Sequence, residues 1–119
     1  MKIKIKPLSI NKGFKGRRFK TQEHKDYSCE LSYLLPNDLV IPKGELRILM
    51  HFGLSNIGSD IDNPVKIFFD VLQQKYDFND SRFFQTVSKK EKVKKGDEFI
   101  CFKIESVNDS IDSVIEFFK

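Results

Sequence analysis

Only two cysteines interrupt the 119 residues, Cys29 and Cys101. Neither stands in a CxxC pair or beside a histidine cluster, which argues against a zinc site and leaves each expected as a small buried apolar filler in a reducing compartment. No run of eighteen apolar residues is present, so no membrane-spanning helix is expected. The amino terminus, MKIKIKPLSI, alternates Lys with Ile and lacks the unbroken apolar stretch of a signal peptide, so the expected location is the cytoplasm. A phosphate-cradling GxxxxGK is absent, no Ser-His-Asp or Cys-His arrangement is persuasive, and there is no internal repeat or low-complexity segment.

What is present suits one domain, residues 1–119, with hydrophobic residues at 39% and twelve phenylalanines to build a core. A domain of this size hides only about 65% of its unfolded surface, so a second subunit would add stability. The net charge is +4, but it is unevenly spread: residues 1–25 carry nine Lys or Arg against Glu23, and residues 89–95 carry five lysines against Glu91. The acids gather at Asp60, Asp62, Asp77 and Asp80, and again between Glu105 and Glu116. Such segregation suits a surface that attracts a polyanion around a smaller acidic focus. It equally suits lysines that keep a Phe-rich domain in solution.

Periodicity gives an element order of β-loop-α-β-α-β-β-α, an α+β fold with a small mixed sheet packed against helices. Lys2 to Lys6 reads as a strand with Ile3 and Ile5 inward, ended by Pro7. Residues 9–20 hold two glycines and no clear period, and read as a loop. Thr21 is placed to cap a helix from Gln22 to about Leu35, with Tyr27, Leu31 and Leu34 inward and His24 on the surface. Residues 45–52 form a strand with Leu46, Ile48, Met50 and Phe52 on one face. Pro64 suits the first position of a second helix running to Tyr76. Val65, Phe68, Phe69, Leu72 and Tyr76 mark its core face, and Ile67 and Val71 widen the apolar arc. Strands are expected near 83–89 and 97–105, joined as a hairpin at Lys94-Lys95-Gly96-Asp97. Ile111, Val114, Ile115 and Phe118 predict a closing amphipathic helix capped by Asp109 or Ser110.

The segment with most chemical content is Gly58-Ser59-Asp60-Ile61-Asp62-Asn63-Pro64-Val65-Lys66, followed by Asn79-Asp80-Ser81. In extended chain Asp60 and Asp62 project to one side, and Lys66 lies four residues beyond Asp62. Asp80 reaches that pair only if the strand after the helix folds back. Converging carboxylates suit Mg²⁺, which takes oxygen ligands, keeps several waters, polarises a phosphate and acidifies an attacking water. Lys66 could then offset charge developing on the phosphate. The same residue types also cap helices, and Asp70 suits a surface pairing with Lys66 at i+4; spacing alone leaves both readings open.

Asp60-Ile61-Asp62-Asn63, then Lys66, Asp70 and Leu72, resembles the D-x-D-N-x-x-K-x-x-x-D-x-L signature of RusA-type Holliday-junction resolvases. In that family an aspartate pair opens the next strand, represented here by Asn79-Asp80-Ser81, so the first acid of the pair is Asn79. Ser9-Ile10-Asn11 with its basic loop also looks like the family's opening segment. The likeness runs from about residue 3 to 105 and is strongest from 58 to 90; the last helix lies outside it. It implies that Asp60, Asp62 and Asp80 bind Mg²⁺ or Mn²⁺ with Lys66 assisting. It further implies a homodimer, of bacterial or phage origin, that makes paired nicks across a four-way DNA junction in recombination and repair.

Two-fold symmetry fits that substrate, because a C2 pair of sites can cut opposing strands, and the apolar second helix is the expected contact surface. Lys12, Lys15, Arg17, Arg18 and Lys20, with Phe14 and Phe19 between them, suit DNA backbone contacts, or else a solvated loop with its rings tucked inward. The lysines of 89–95 are a weaker candidate, since they equally discourage aggregation at a strand end. His51 is expected to be paired or exposed rather than a metal ligand.

Overall fold

The computed structural model describes residues 2–9, 14–15, 19–56, 58 and 60–119, with the side chains of 14, 15 and 19 outside the description. Its main sheet has four strands in the order β1-β6-β4-β5, where β1 is Lys2–Ile3, β4 is Leu46–Leu54, β5 is Phe83–Lys92 and β6 is Phe99–Ser106. Strands β2 (Phe14–Lys15) and β3 (Phe19–Lys20) pair separately as an antiparallel ribbon, so part of the expected basic loop is regular. Helices α1 (Gln22–Leu34), α2 (Val65–Tyr76) and α3 (Asp112–Phe117) complete an α+β architecture, as the periodicity predicts.

β4 is the organising element. It pairs antiparallel with β6 and parallel with β5, and apart from the half-buried His51 it is buried along its whole length. Leu46, Ile48, Met50 and Phe52 point into the main core, where Ile100, Phe102 and Ile104 of β6 meet Ile67, Phe68, Val71 and Leu72 of α2. The opposite face carries Arg47, Leu49, His51 and Gly53, and α3 lies over part of it through Ser113 and Phe118. Gly53 has a steric purpose, because a Cβ at that position would overlap the Phe99 ring on the neighbouring strand.

The expected hairpin between β5 and β6 does not form: β6 passes to the far side of β4, leaving β5 at the edge of the sheet. Gly96 does adopt the positive φ expected of it, +101°, in the connection between them. A turn residue records the local bend, whereas the strand partner is chosen by burial. β4, buried on both faces, is stabilised more at the centre than at an edge.

Helical phase explains three further corrections. On α1, Thr21 accepts a hydrogen bond from the His24 amide at 3.1 Å, as expected of the cap. The buried stripe, however, is His24, Tyr27, Leu31 and Leu35, while Leu34 is exposed. His24 therefore belongs to the interior rather than the surface, three residues ahead of Tyr27 on the same face. Cys29, two residues from both Tyr27 and Leu31, is turned outward and is not a core filler; Cys101 is half-buried, and burial raises its thiol pKa. α2 spends its apolar arc inside the protomer, with Ile67, Phe68, Val71 and Leu72 buried, so it is not a free surface for a second subunit. No helix among the described residues is long and apolar enough to cross a membrane.

Candidate functional site

Asp60 and Asp62 lie in the turns that wind into α2. The Asn63 amide donates to the Asp60 carbonyl and the Val65 amide to the Asp62 carbonyl, each at 3.1 Å. The segment therefore coils instead of extending, and alternate residues do not share a side by strand geometry. Pro64 stands at the helix cap and receives no side-chain capping bond at that end. The carboxylates of Asp60 and Asp62 are exposed and take part in no hydrogen bond or ion pair among the described residues. Helix capping is thus not their role. Lys66 is likewise exposed, and it forms no ion pair with Asp62 or with Asp70, its expected surface partner.

Asp80 opens a single 3-10 turn, Asp80–Arg82, immediately before β5. Its amide donates to the Gln73 side chain at 2.8 Å, and the Asn79 side chain accepts from the Ser81 amide at 2.8 Å. Asn79, standing where the resembled family carries an acid, is thus a local cap. The Asp80 carboxylate is half-buried and has no described partner.

The parallel pairing of β4 with β5 decides how these residues are distributed. Leu46 pairs with Phe83 and Leu54 with Lys92, so Asp80 lies by the first residues of both strands. Asp60 and Asp62 follow the last residues of β4, at the other end. The twelve residues of α2 run between the two positions, a rise of about 18 Å. Among the described residues no three His, Cys, Asp or Glu side chains gather closely enough to hold a metal ion. One chain brings Asp60 and Asp62 into one run of turns and leaves Asp80 at the opposite end.

The Asp60–Asp62 end is also the cationic end. β1 pairs Lys2 with Cys101 and Ile3 with Ile100, setting its lysines beside the start of β6. Lys2, Lys4, Lys92 and Lys94 line a hollow of about 570 Å³ there together with Glu91, Asp97 and Phe99. The Lys2 ammonium sits 4.2 Å from the centre of the Phe99 ring, a cation–π contact. Both lysine sets were visible along the chain, as an alternation at 2–6 and a run at 89–95; their meeting needed the crossing of β6 past β4. Of the other basic candidates, Lys12, Arg17 and Arg18 lie outside the described residues. Lys15 is described only as part of β2, and Lys20 is exposed on β3.

One polar cluster has no counterpart in the pattern along the chain. Arg47 and Glu105 face each other across β4 and β6, each only 3% exposed, and form a buried ion pair. Ser113 of α3 donates its hydroxyl to Glu105 at 2.6 Å, and Arg47 reaches the Asp109 carbonyl at 2.9 Å. Burial by itself raises the Glu105 carboxyl, but the Ser113 hydroxyl, the Arg47 guanidinium and Lys103 outweigh it and hold the pKa below the ordinary value. Elsewhere the half-buried His51 places Nε2 3.1 Å from a Glu91 carboxylate oxygen without forming a hydrogen bond to it, and its ring meets Phe99 edge-on.

No protein-family model matches the chain, and no curated protein matches it.

Proposed function

We propose that the chain is a metal-dependent, structure-specific endodeoxyribonuclease that nicks branched DNA, four-way junctions above all, as a homodimer. Asp60, Asp62 and Asp80 are its metal-facing carboxylates, Lys66 the assisting cation, and Mg²⁺ or Mn²⁺ the ion. The observation that carries this reading is the uncommitted state of the signature aspartates. No cap, ion pair or hydrogen bond takes up their carboxylates, and two of them stand at the lysine-rich end of the sheet. Exposed carboxylates that no neighbour takes up are open to a divalent ion, and lysines at the same end of the sheet suit a DNA phosphate.

The donor chemistry suits a hard cation: aspartate oxygens with room for water and phosphate. The arrangement within one chain does not complete such a site, since Asp80 is remote from the other two. The basic residues have a separate task. Lys2, Lys4, Lys92 and Lys94 hold the phosphate backbone through charge, with no reading of base sequence.

The test is cleavage of a labelled four-way junction, beside a linear duplex, with and without Mg²⁺. Asp60→Asn, Asp62→Asn and Asp80→Asn should each lose nicking by roughly a hundredfold or more while still shifting the junction in a gel. Normal cutting by all three variants overturns the proposal. Junction binding by the unmodified protein with no Mg²⁺-dependent cleavage would instead mark a DNA-binding protein on this scaffold, with Asn79 as the departure that removed activity.

A further inference from the structure

We infer that the hollow between β1, the first half of α1 and the end of β4 takes up a single unpaired base of a DNA strand, one that carries an exocyclic amino group. This rests on the DNA binding contained in the function proposed above and adds what the protein holds besides phosphates. The hollow encloses about 630 Å³, within the range of sites that hold small organic ligands. It adjoins the cationic hollow, because Lys4 lines both. The connection between β5 and β6 is shared in the same way, with Lys94 and Asp97 on the cationic side and Gly96 and Glu98 on this one. Leu54, Ser55 and Asn56 form another part of the wall and lead along the chain toward Asp60. A strand whose phosphates rest against Lys2, Lys4, Lys92 and Lys94 therefore passes a recess of ligand size, at the end of the sheet where Asp60 and Asp62 stand.

The chemistry of the wall separates a base from other occupants. Glu23, Asp26, Glu30 and Glu98 line it against Lys4 and Lys6, so its interior is ill suited to a phosphate. Two of the lining groups are sunk into the wall. Glu98 is 8% exposed and accepts from the Ser55 hydroxyl at 2.7 Å and the Gly96 amide at 2.8 Å. Those bonds, with a smaller contribution from Lys6, hold its carboxyl below the ordinary pKa, so it is ionised and only accepts, with lone pairs to spare. Tyr27 is 6% exposed, and its hydroxyl, beside the Leu8 backbone, has no hydrogen-bond partner among the described residues. Burial raises the pKa of that hydroxyl, so it keeps a hydrogen to donate. An ammonium or guanidinium group would suit the carboxylates but give Tyr27 no acceptor. A nucleobase has both, an amino group for Glu98 and a ring nitrogen or carbonyl for Tyr27. Ile5, Pro7, Leu8 and Leu54 supply apolar flanks for a ring taken out of its stack.

Fluorescence anisotropy in EDTA tests this apart from cleavage. Labelled single strands of one length carry adenine, purine (the same rings without the amino group) or no base at all, so the charge is constant. The unmodified protein should bind the adenine strand about tenfold or more tighter than the abasic one, with the purine strand between them. Glu98→Gln should bring the adenine strand down to the purine level, and Tyr27→Phe should weaken both, in neither case weakening the abasic strand. Tyr27→Phe removes a hydroxyl that has no partner, so its urea midpoint should not fall, which separates lost recognition from lost folding. Equal affinity for the adenine and abasic strands overturns the base site, as does an adenine preference that survives both substitutions. Junction nicking that persists beside either result leaves the nuclease standing. An adenine preference that both substitutions remove, in a protein that never nicks a junction, supports the base site and overturns only the nuclease.

Discussion

Arg47 and Glu105 illustrate how a single pair of side chains ties the ends of the fold together. Glu105 accepts from the Arg47 Nε at 2.7 Å and from Ser113, and Arg47 reaches the Asp109 and Ser110 carbonyls, so β4, β6 and the approach to α3 share one buried charge cluster. Removing one member leaves the other buried and unpaired, which costs about 3–5 kcal/mol. Glu105→Gln should therefore lower unfolding free energy by about that amount at pH 7, measured by urea denaturation. The pH dependence has a definite sign. A carboxyl whose folded-state pKa is depressed stabilises above its unfolded value, about 4.3, and that contribution is lost as pH falls through the folded value. The gap between the native protein and Glu105→Gln should stay constant above about pH 5 and narrow on acidification below pH 4. A gap independent of pH would show that the carboxylate charge is not the stabilising element. Nothing in the sequence foretold this pair, because residues 58 positions apart become neighbours only through the β4–β6 register.

At the level of elements, the strands and helices were legible because each carries its own hydrophobic period. Thr21, the Ile3–Ile5 alternation and the inward face of β4 all stand as the pattern predicts. What misled was pairing. The glycine-containing turn at 94–97 predicts a hairpin, whereas β6 crosses to the other flank of β4 and antiparallel pairing there packs Phe99 over Gly53. That close approach makes a sharp element-scale prediction. Gly53→Ala inserts a methyl group into the Phe99 ring and should destabilise by about 1–3 kcal/mol, read as a lower denaturation midpoint with an unchanged urea slope. Restoration by Gly53→Ala combined with Phe99→Leu would identify the ring as the clashing group. Gly96→Ala, which meets nothing within 4 Å, provides the contrast: its cost comes from the positive φ and is not relieved by Phe99→Leu.

For the molecule as a whole, one end of the sheet is cationic and is the end at which Asp60 and Asp62 stand, while Asp80 sits at the far end. Backbone neutralisation by lysine releases counterions, so affinity for DNA should fall steeply with salt, with a slope of about −0.9 in log K per log salt for each phosphate engaged. Lys92→Gln with Lys94→Gln should weaken junction and linear duplex alike and make the slope shallower by up to about 2, measured by fluorescence anisotropy over a salt series. An unchanged slope would remove this hollow from the DNA interface. The apolar arc of α2, expected to face a second subunit, is consumed inside the chain's own core, and β1 and β5 form the two edges of the described sheet.

Local chemistry was therefore readable from the chain alone: element types, the cap at Thr21, the aspartates ahead of α2, and the two lysine-rich segments. These depend on residues within a turn or two of each other, where period and side-chain type act directly. Only the tertiary structure decided which lysines meet, that Arg47 finds Glu105, and that Asp80 is parted from Asp60 and Asp62. Each of these follows from strand order and direction, which are set by where β4 buries both of its faces, a property of the assembled core and not of any single segment.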